Sequence, residues 1–319
     1  MITLKRFYIP SFVVLLLVVG SAQYALAQPA PFVPRPSQKA SVMQKIGVTE
    51  ITIIYSRPGV KGRTIWGDPL PEQAATKGEA TLDDQNVRPK GAPIVPWGHA
   101  WRTGANEATQ FIVTDDVLIN GQKLPAGSYS LHTIPTKDEW TIIFNGEANQ
   151  WGSFKYDPAK DTLRVKVKPE WGEHSKEWLE YWIDPVSDNT AQVNIRWEKV
   201  RVPFTVEIKD VMAAALQHAR AAVAAAKADD WNTPFQAANL ALANPEKADL
   251  AEATRWLEQS IKAKETYQNL AAKARMLAGQ GKTAEAIGVG EKALVLAKAA
   301  KANTANLEKN LAEWKAKKM

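Results

Sequence analysis

Cysteine is missing from all 319 residues. Its absence excludes disulfides, thiolate metal sites, iron–sulfur clusters, thiol catalysis and a cysteine-linked lipid anchor. Histidine is almost as scarce, with four residues: His99, His132, His174 and His218. None stands in an H-x-H or H-E-x-x-H spacing, so no transition-metal set is expected. The pairs Asp83-Asp84 and Asp115-Asp116 read as solvated turns rather than calcium ligands, because neighbouring strand residues point to opposite faces. There is no Walker or Rossmann glycine motif and no G-x-S-x-G elbow, so neither a nucleotide cofactor nor a serine hydrolase of that type is indicated. A concentrated basic face is lacking as well. Of the formal charge of +6, two units are Lys5 and Arg6, four belong to the stretch after Lys209, and the stretch between is balanced. Nucleic-acid binding is therefore not expected.

What is present divides the chain into segments. Lys5 and Arg6, the apolar run Phe12 to Val19 and the Ala25-Leu26-Ala27 triplet describe a signal peptide over residues 1–27. The run is short of the roughly 20 apolar residues of a membrane span, and no later stretch reaches that length. An exported chain, periplasmic or secreted, with no membrane span after cleavage is the expectation. Residues 28–38 carry Pro29, Pro31, Pro34 and Pro36 and read as an extended linker.

Residues 39–209 have the grammar of strands. Val48 to Tyr55 alternates, with Ile51, Ile53 and Tyr55 on one face, and Leu163, Val165 and Val167 do the same later. Asn120-Gly121 is a hairpin signal, and Pro135 to Asp138 joins two further strands. Trp178 to Ile183, Ala191 to Trp197 and Val200 to Ile208 complete about nine strands. From Asp210 the pattern changes, and 32 of the last 110 residues are alanine with apolar residues at helical spacing. About six helices are expected over 210–319, with Asn232, Thr233 and Asn244 as starts near prolines. Gly281 to Ile287 with Ala293 resembles the second helix of a tetratricopeptide repeat, and Asp249 to Ala253 with Ser260 repeats that spacing 33 residues earlier. Gly290 departs from the repeat pattern, where a large aromatic is usual. The fold class is α+β in two domains, an antiparallel β-sandwich or barrel followed by an all-α domain of helical hairpins.

Several long motifs carry a resemblance. They include Tyr55 to Arg63, Ile65-Trp-Gly67, Pro96-Trp-Gly98, Trp101 to Thr109, Leu124 to Tyr129, Ile134-Pro135, Glu139 to Asn145 and Gln150-Trp-Gly152. Over about Ser37 to Ile208 the chain resembles the bacterial domain of unknown function 2911. The resemblance implies export and a helical tail like this one, and it brings no reaction, cofactor or catalytic residue. The insert from Glu72 to Pro93 departs from the family and reads as a polar surface loop.

Candidate chemistry gathers in two loops. The first holds Arg57, Lys61 and Arg63. The second holds Trp97, Arg102, Asn106 and Glu107. Guanidinium forks suit carboxylates and phosphates, and indoles beside them suit a sugar face or a cation. These residues are the expected ligand-binding set for a small anionic or sugar-like ligand, and the helical tail is the expected contact for a protein partner. An equally concrete reading makes them structural, with Arg102 and Glu107 paired within their loop and the tryptophans plugging the core. The expectation leans away from catalysis. The alternative is a hydrolase or isomerase using Glu107 and His132, with Arg102 stabilising an oxyanion. Gln150 to Tyr156 is a further aromatic loop that either lines the same site or closes the sandwich.

Overall fold

The computed structural model describes residues 33–71 and 90–318. The segment read as a signal peptide, residues 28–32 of the proline-rich linker, most of the Glu72 to Pro93 insert and the Asp83-Asp84 pair lie outside the described residues. The described residues from Ser37 onward form one compact unit.

Two antiparallel sheets enclose a shared apolar core. The first contains β1 (Gln38–Ile46), β2 (Thr49–Arg57), β5 (Thr109–Val113), β8 (Gly127–Pro135), β9 (Trp140–Asn145) and β10 (Asp161–Val167), in the order β1-β2-β5-β8-β9-β10. The second runs β11 (Glu170–Pro185), β12 (Thr190–Glu207), β6 (Val117–Ile119), β7 (Gln122–Leu124). A short parallel pair, β3 (Trp66–Gly67) and β4 (Val95–Pro96), lies apart from both. The sheets approach at both margins, with β1 and β2 beside β11 and β10 beside β7. The result is a sandwich flattened from a nearly closed barrel.

The core follows from alternation. Ile51, Ile53 and Tyr55 of β2 join Phe111, Leu131, Ile142, Phe144 and Val165 from the first sheet. Val193, Ile195, Trp197, Phe204 and Val206 face them from β12. The Asn120-Gly121 turn closes the β6–β7 hairpin with φ of 46° and 80°, the paired positive values of a type I′ turn.

β12 is a single strand where the sequence pattern reads as two. Its buried apolar residues are odd-numbered through Trp197 and even-numbered from Val200. Glu198, at φ 53°, absorbs the change of phase as a bulge. β11 shifts register on either side of the same point, between Trp171 and Lys176 and between Lys176 and Glu180. β1 was not anticipated as a strand. Its exposed and half-buried residues lack the apolar alternation that marks β2.

Six helices follow: α1 (Val211–Ala225), α2 (Asn232–Ala243), α3 (Leu250–Ala263), α4 (Tyr267–Gly279), α5 (Thr283–Ala299) and α6 (Ala305–Lys318). They pack as hairpins, α2 on α3 and α4 on α5, with α6 against α5. Ala253 and Ser260 of α3 and Ala286 and Ala293 of α5, the residues of the repeated spacing, are all buried. Gly290 has a steric reason: a Cβ there would stand 2.8 Å from Leu311 Cδ2 on α6. An aromatic at that position would displace the last helix. Two helix ends differ from the sequence reading. Asn244 closes α2 instead of opening a helix, and α3 is capped by Asp249, whose side chain accepts from Ala251 N. At the start of α2 the cap comes from Asp230, whose Oδ1 accepts from both Asn232 N and Thr233 N at 3.0 Å.

The tail is docked on the sandwich through α1. Val211 and Ala214 pack against the sandwich core. Val211 fills the space beside Gly47, at φ 57°, where any Cβ would fall 2.3 Å from Val211 Cγ1. His218 Nε2 lies 2.6 Å from Asp115 Oδ1 in the β5–β6 turn.

Candidate functional site

The turn after β2 is built onto β11. Val60 N donates to Glu177 O at 2.8 Å and Leu179 N donates to Pro58 O at 3.0 Å, so the turn continues the sheet margin. Lys61 and Gly62 both adopt left-handed backbone, with φ of 48° and 67°, which reverses the chain. Glu177 Oε1 accepts from Lys61 N at 2.9 Å and fixes the reversal. The Lys61 ammonium then sits 5.6 Å above the Trp178 ring centroid. Arg57 donates from Nε to Leu179 O at 2.8 Å and stands 4.0 Å from the Glu180 carboxylate. That carboxylate is shared with Lys176 at 2.7 Å. Arg63 folds back on its own turn, donating to Val60 O at 3.2 Å and Gly59 O at 2.5 Å.

Beside this turn is a cluster of indoles. Trp66 lies parallel to Trp97 at 6.0 Å and edge-on to Trp101, Trp140 and Trp197 at 5.1–5.7 Å. Trp97 meets Trp171 edge-on at 6.2 Å. The cluster therefore runs from the core, where Trp101, Trp140 and Trp197 are buried, to the exposed ring of Trp171. Trp197 Nε1 donates to Glu177 O at 3.3 Å, which joins the indole cluster to the cationic turn.

Arg102, Asn106, Glu107 and His132 form a second neighbourhood, gathered by residues 150–156. Trp101 and Thr133 exchange both backbone hydrogen bonds, at 2.8 and 2.9 Å, so the loop starts from a fixed point on β8. Thr103 and Asn106 take positive φ, at 50° and 60°. Arg102 is buried and donates from Nη1 to Asn106 O at 2.9 Å, and Gly152 N donates to the same carbonyl. Gly152 makes that approach possible, since a Cβ there would lie 3.1 Å from Arg102 Nη1. Asn106 Nδ2 donates to Ser37 O at 3.0 Å. Glu107 forms an isolated antiparallel bridge with Trp151.

His132 points to the outer face of β8, opposite the core residues Tyr129 and Leu131, yet it has no solvent exposure. Residues 150–156 cover it. Its Nε2 lies 3.2 Å from Ser153 Oγ, and its ring packs on Tyr156 at 4.7 Å. Tyr156 donates in turn to Asp161 at 3.1 Å, which also accepts from Arg164. The 101–109 loop is braced from the second sheet by Tyr181, whose hydroxyl donates to Thr103 O at 2.8 Å. Burial pushes the Tyr181 phenol well above its ordinary pKa, which keeps it a neutral donor.

The expected site residues thus separate into two groups by the partners they keep. Arg57, Lys61, Arg63 and Trp97 belong to the indole end, and Arg102, Asn106, Glu107 and His132 belong to the covered outer face of the first sheet. Sequence reasoning missed Trp171, Trp178 and Glu177 at the first and the Ser153 contact of His132 at the second. The density of indoles in 171–182 was the available signal for the former. Among the described residues no group of three or more His, Asp or Glu side chains is placed to hold a metal, and no helix is long and apolar enough to cross a membrane.

The profile of a family described as "Protein of unknown function (DUF2911)" matches residues 37–206, a span that contains both neighbourhoods. Neither a curated protein nor a solved structure matches the chain. With more than half of its length matched, the chain belongs to the DUF2911 family of proteins of unknown function.

Proposed function

We propose that this protein is an exported binding module of the cell envelope, and that its ligand, anionic or sugar-like, is held at the indole end of the sandwich by Lys61, Arg63, Arg57 and Trp97 with Trp178. Export is supported by the N-terminal sequence pattern. Binding is supported above all by one observation: the Lys61 ammonium lies over the exposed ring of Trp178, on a turn that also carries Arg57 and Arg63. A cation over an indole forms a mixed surface that an anion or a sugar face can engage. The turn is held by backbone pairing to β11, so its geometry is set before a ligand arrives.

In this reading Arg102, Asn106 and Glu107 do not touch the ligand directly. They tie the 101–109 loop to residues 150–156 and hold Trp101 under the indole cluster. The helical tail is assigned to a protein partner or to bracing the sandwich through α1.

A thermal-shift screen of the chain from Gln28 against anionic metabolites and glycans tests the reading, because a ligand of the native state raises the melting temperature. At 100 times its Kd such a ligand adds about 2.7 kcal/mol. The shift should vanish in a Lys61→Ala, Arg63→Ala double variant whose own melting temperature is unchanged. Shifts that survive that variant would place the ligand elsewhere and remove the basis of the proposal.

A further inference from the structure

We infer that the ligand is an acidic oligosaccharide lying along the outer face of β11 over Trp178 and Trp182, with its acid group at Arg196 of β12. This rests on the binding reading above and names the ligand class. Leu179 and Tyr181 point into the core, and Ile183 packs against it. Trp178, Glu180 and Trp182 alternate with them and share the outer face. Lys176 reaches Glu180 on that face at 2.7 Å, so the alternation holds through the register shift between them. Two indoles four positions apart on one face of a strand stand roughly 13 Å apart along it. A short sugar chain covers that span.

Each of these indoles carries a cation. The Lys61 ammonium lies over Trp178, and the Arg201 guanidinium stands 5.8 Å from the Trp182 ring centroid. The parts are held in place. Trp178 is paired through its backbone with Gly59, and Trp182 Nε1 donates to Asp184 at 2.7 Å. Arg201 donates to Asn194, Gln192 and Glu170. Facets fixed in this way lose little side-chain entropy on contact. Between the indoles lies a polar row, Glu180 with its cross-strand neighbour Arg196. The face therefore has no continuous apolar centre of the sort a protein interface buries. A sugar chain fits this alternation, because its rings offer C–H faces to the indoles and hydroxyls to the groups between.

Charge sets the class of sugar. The carboxylates around this face are already engaged. Glu180 is held by Lys176 and stands 4.0 Å from Arg57, and Glu170 is held by Arg201 at 2.6 Å. Asp184 accepts from Trp182 and Asn194, and Glu177 accepts from Lys61 N. Arg196 is half-buried beside them and, among the described residues, makes no hydrogen bond or ion pair. Its guanidinium is the unmatched charge of the face. A uronate, or a sulfate or phosphate ester on the sugar, supplies the matching anion.

The test titrates the chain from Gln28 with a polyuronate oligosaccharide, a neutral oligosaccharide of equal length, and a polyglutamate of equal charge, followed by calorimetry and tryptophan fluorescence. The polyuronate is expected to bind about tenfold or more tighter than the neutral sugar. Arg196→Gln should remove that preference at an unchanged melting temperature, since the side chain has no bond to lose. Trp178→Ala and Trp182→Ala should weaken both sugars. Equal affinity for the two sugars overturns the acidic class. Polyglutamate bound as tightly as polyuronate overturns the saccharide. Polyuronate binding that survives Arg196→Gln and Trp182→Ala but is lost in the Lys61→Ala, Arg63→Ala double variant overturns this placement and leaves the binding reading standing. No binding by any of the three overturns the inference, and the metabolite screen then decides the binding reading alone.

Discussion

A histidine with no solvent exposure must find its hydrogen-bond partners inside the protein. His132 does so 21 residues down the chain, at Ser153, and its ring fills the space against Tyr156. The inward faces of β2 and β10 were legible in the sequence because alternation is a local signal. The Ser153 contact was not, because nothing in the composition of 150–156 says which strand the loop folds over. His132→Ala should therefore cost about 2–4 kcal/mol, through a cavity and a stranded polar group. Urea unfolding followed by far-UV circular dichroism checks this. A loss under about 0.5 kcal/mol would show that residues 150–156 do not depend on the ring.

At the scale of elements, the informative cases are strand β12 and helix α1. The sequence shows a break in β12 because the buried positions change parity, and the structure shows the break to be a bulge at Glu198 inside one continuous strand. Periodicity detects the phase of a strand and not its continuity. The docking of α1 was illegible for a different reason: it depends on Gly47 leaving room for Val211 and on an acid–base pair 103 residues apart. Burial pushes the Asp115 carboxyl up. The hydrogen bonds from His218 and Thr114 outweigh that, with the Thr49 hydroxyl contributing by proximity without a well-formed hydrogen bond, and they hold the carboxyl below its ordinary pKa. A depressed carboxyl stabilises the fold above its unfolded pKa, near 3.9, and that contribution is lost as pH falls through the folded value. Asp115→Asn should thus lower the melting temperature at pH 7 and converge on the wild type as pH drops below about 4. A gap that is constant with pH would show that the ionised carboxylate is not what holds α1.

For the whole molecule, the division into a β sandwich and a helical tail was readable because the two halves obey different periods. The place of the proposed site was only half readable. Arg57, Lys61 and Arg63 were recognised as a cationic turn, yet the indoles that complete it come from β11, whose bulges no local pattern announces. The same limit applies to Arg102, Asn106 and Glu107, which stand in a loop rich in recognition chemistry and are drawn into the packing around Gly152. The twelve tryptophans make the central claim open to direct measurement, because each indole N–H gives its own nitrogen–proton NMR signal. With signals assigned by single substitution and a saturating ligand from the thermal-shift screen added, the account predicts movement of Trp178 and Trp97, with Trp140 and Trp101 in place. An unchanged spectrum, or shifts confined to the indoles of the tail, Trp231, Trp256 and Trp314, would contradict it.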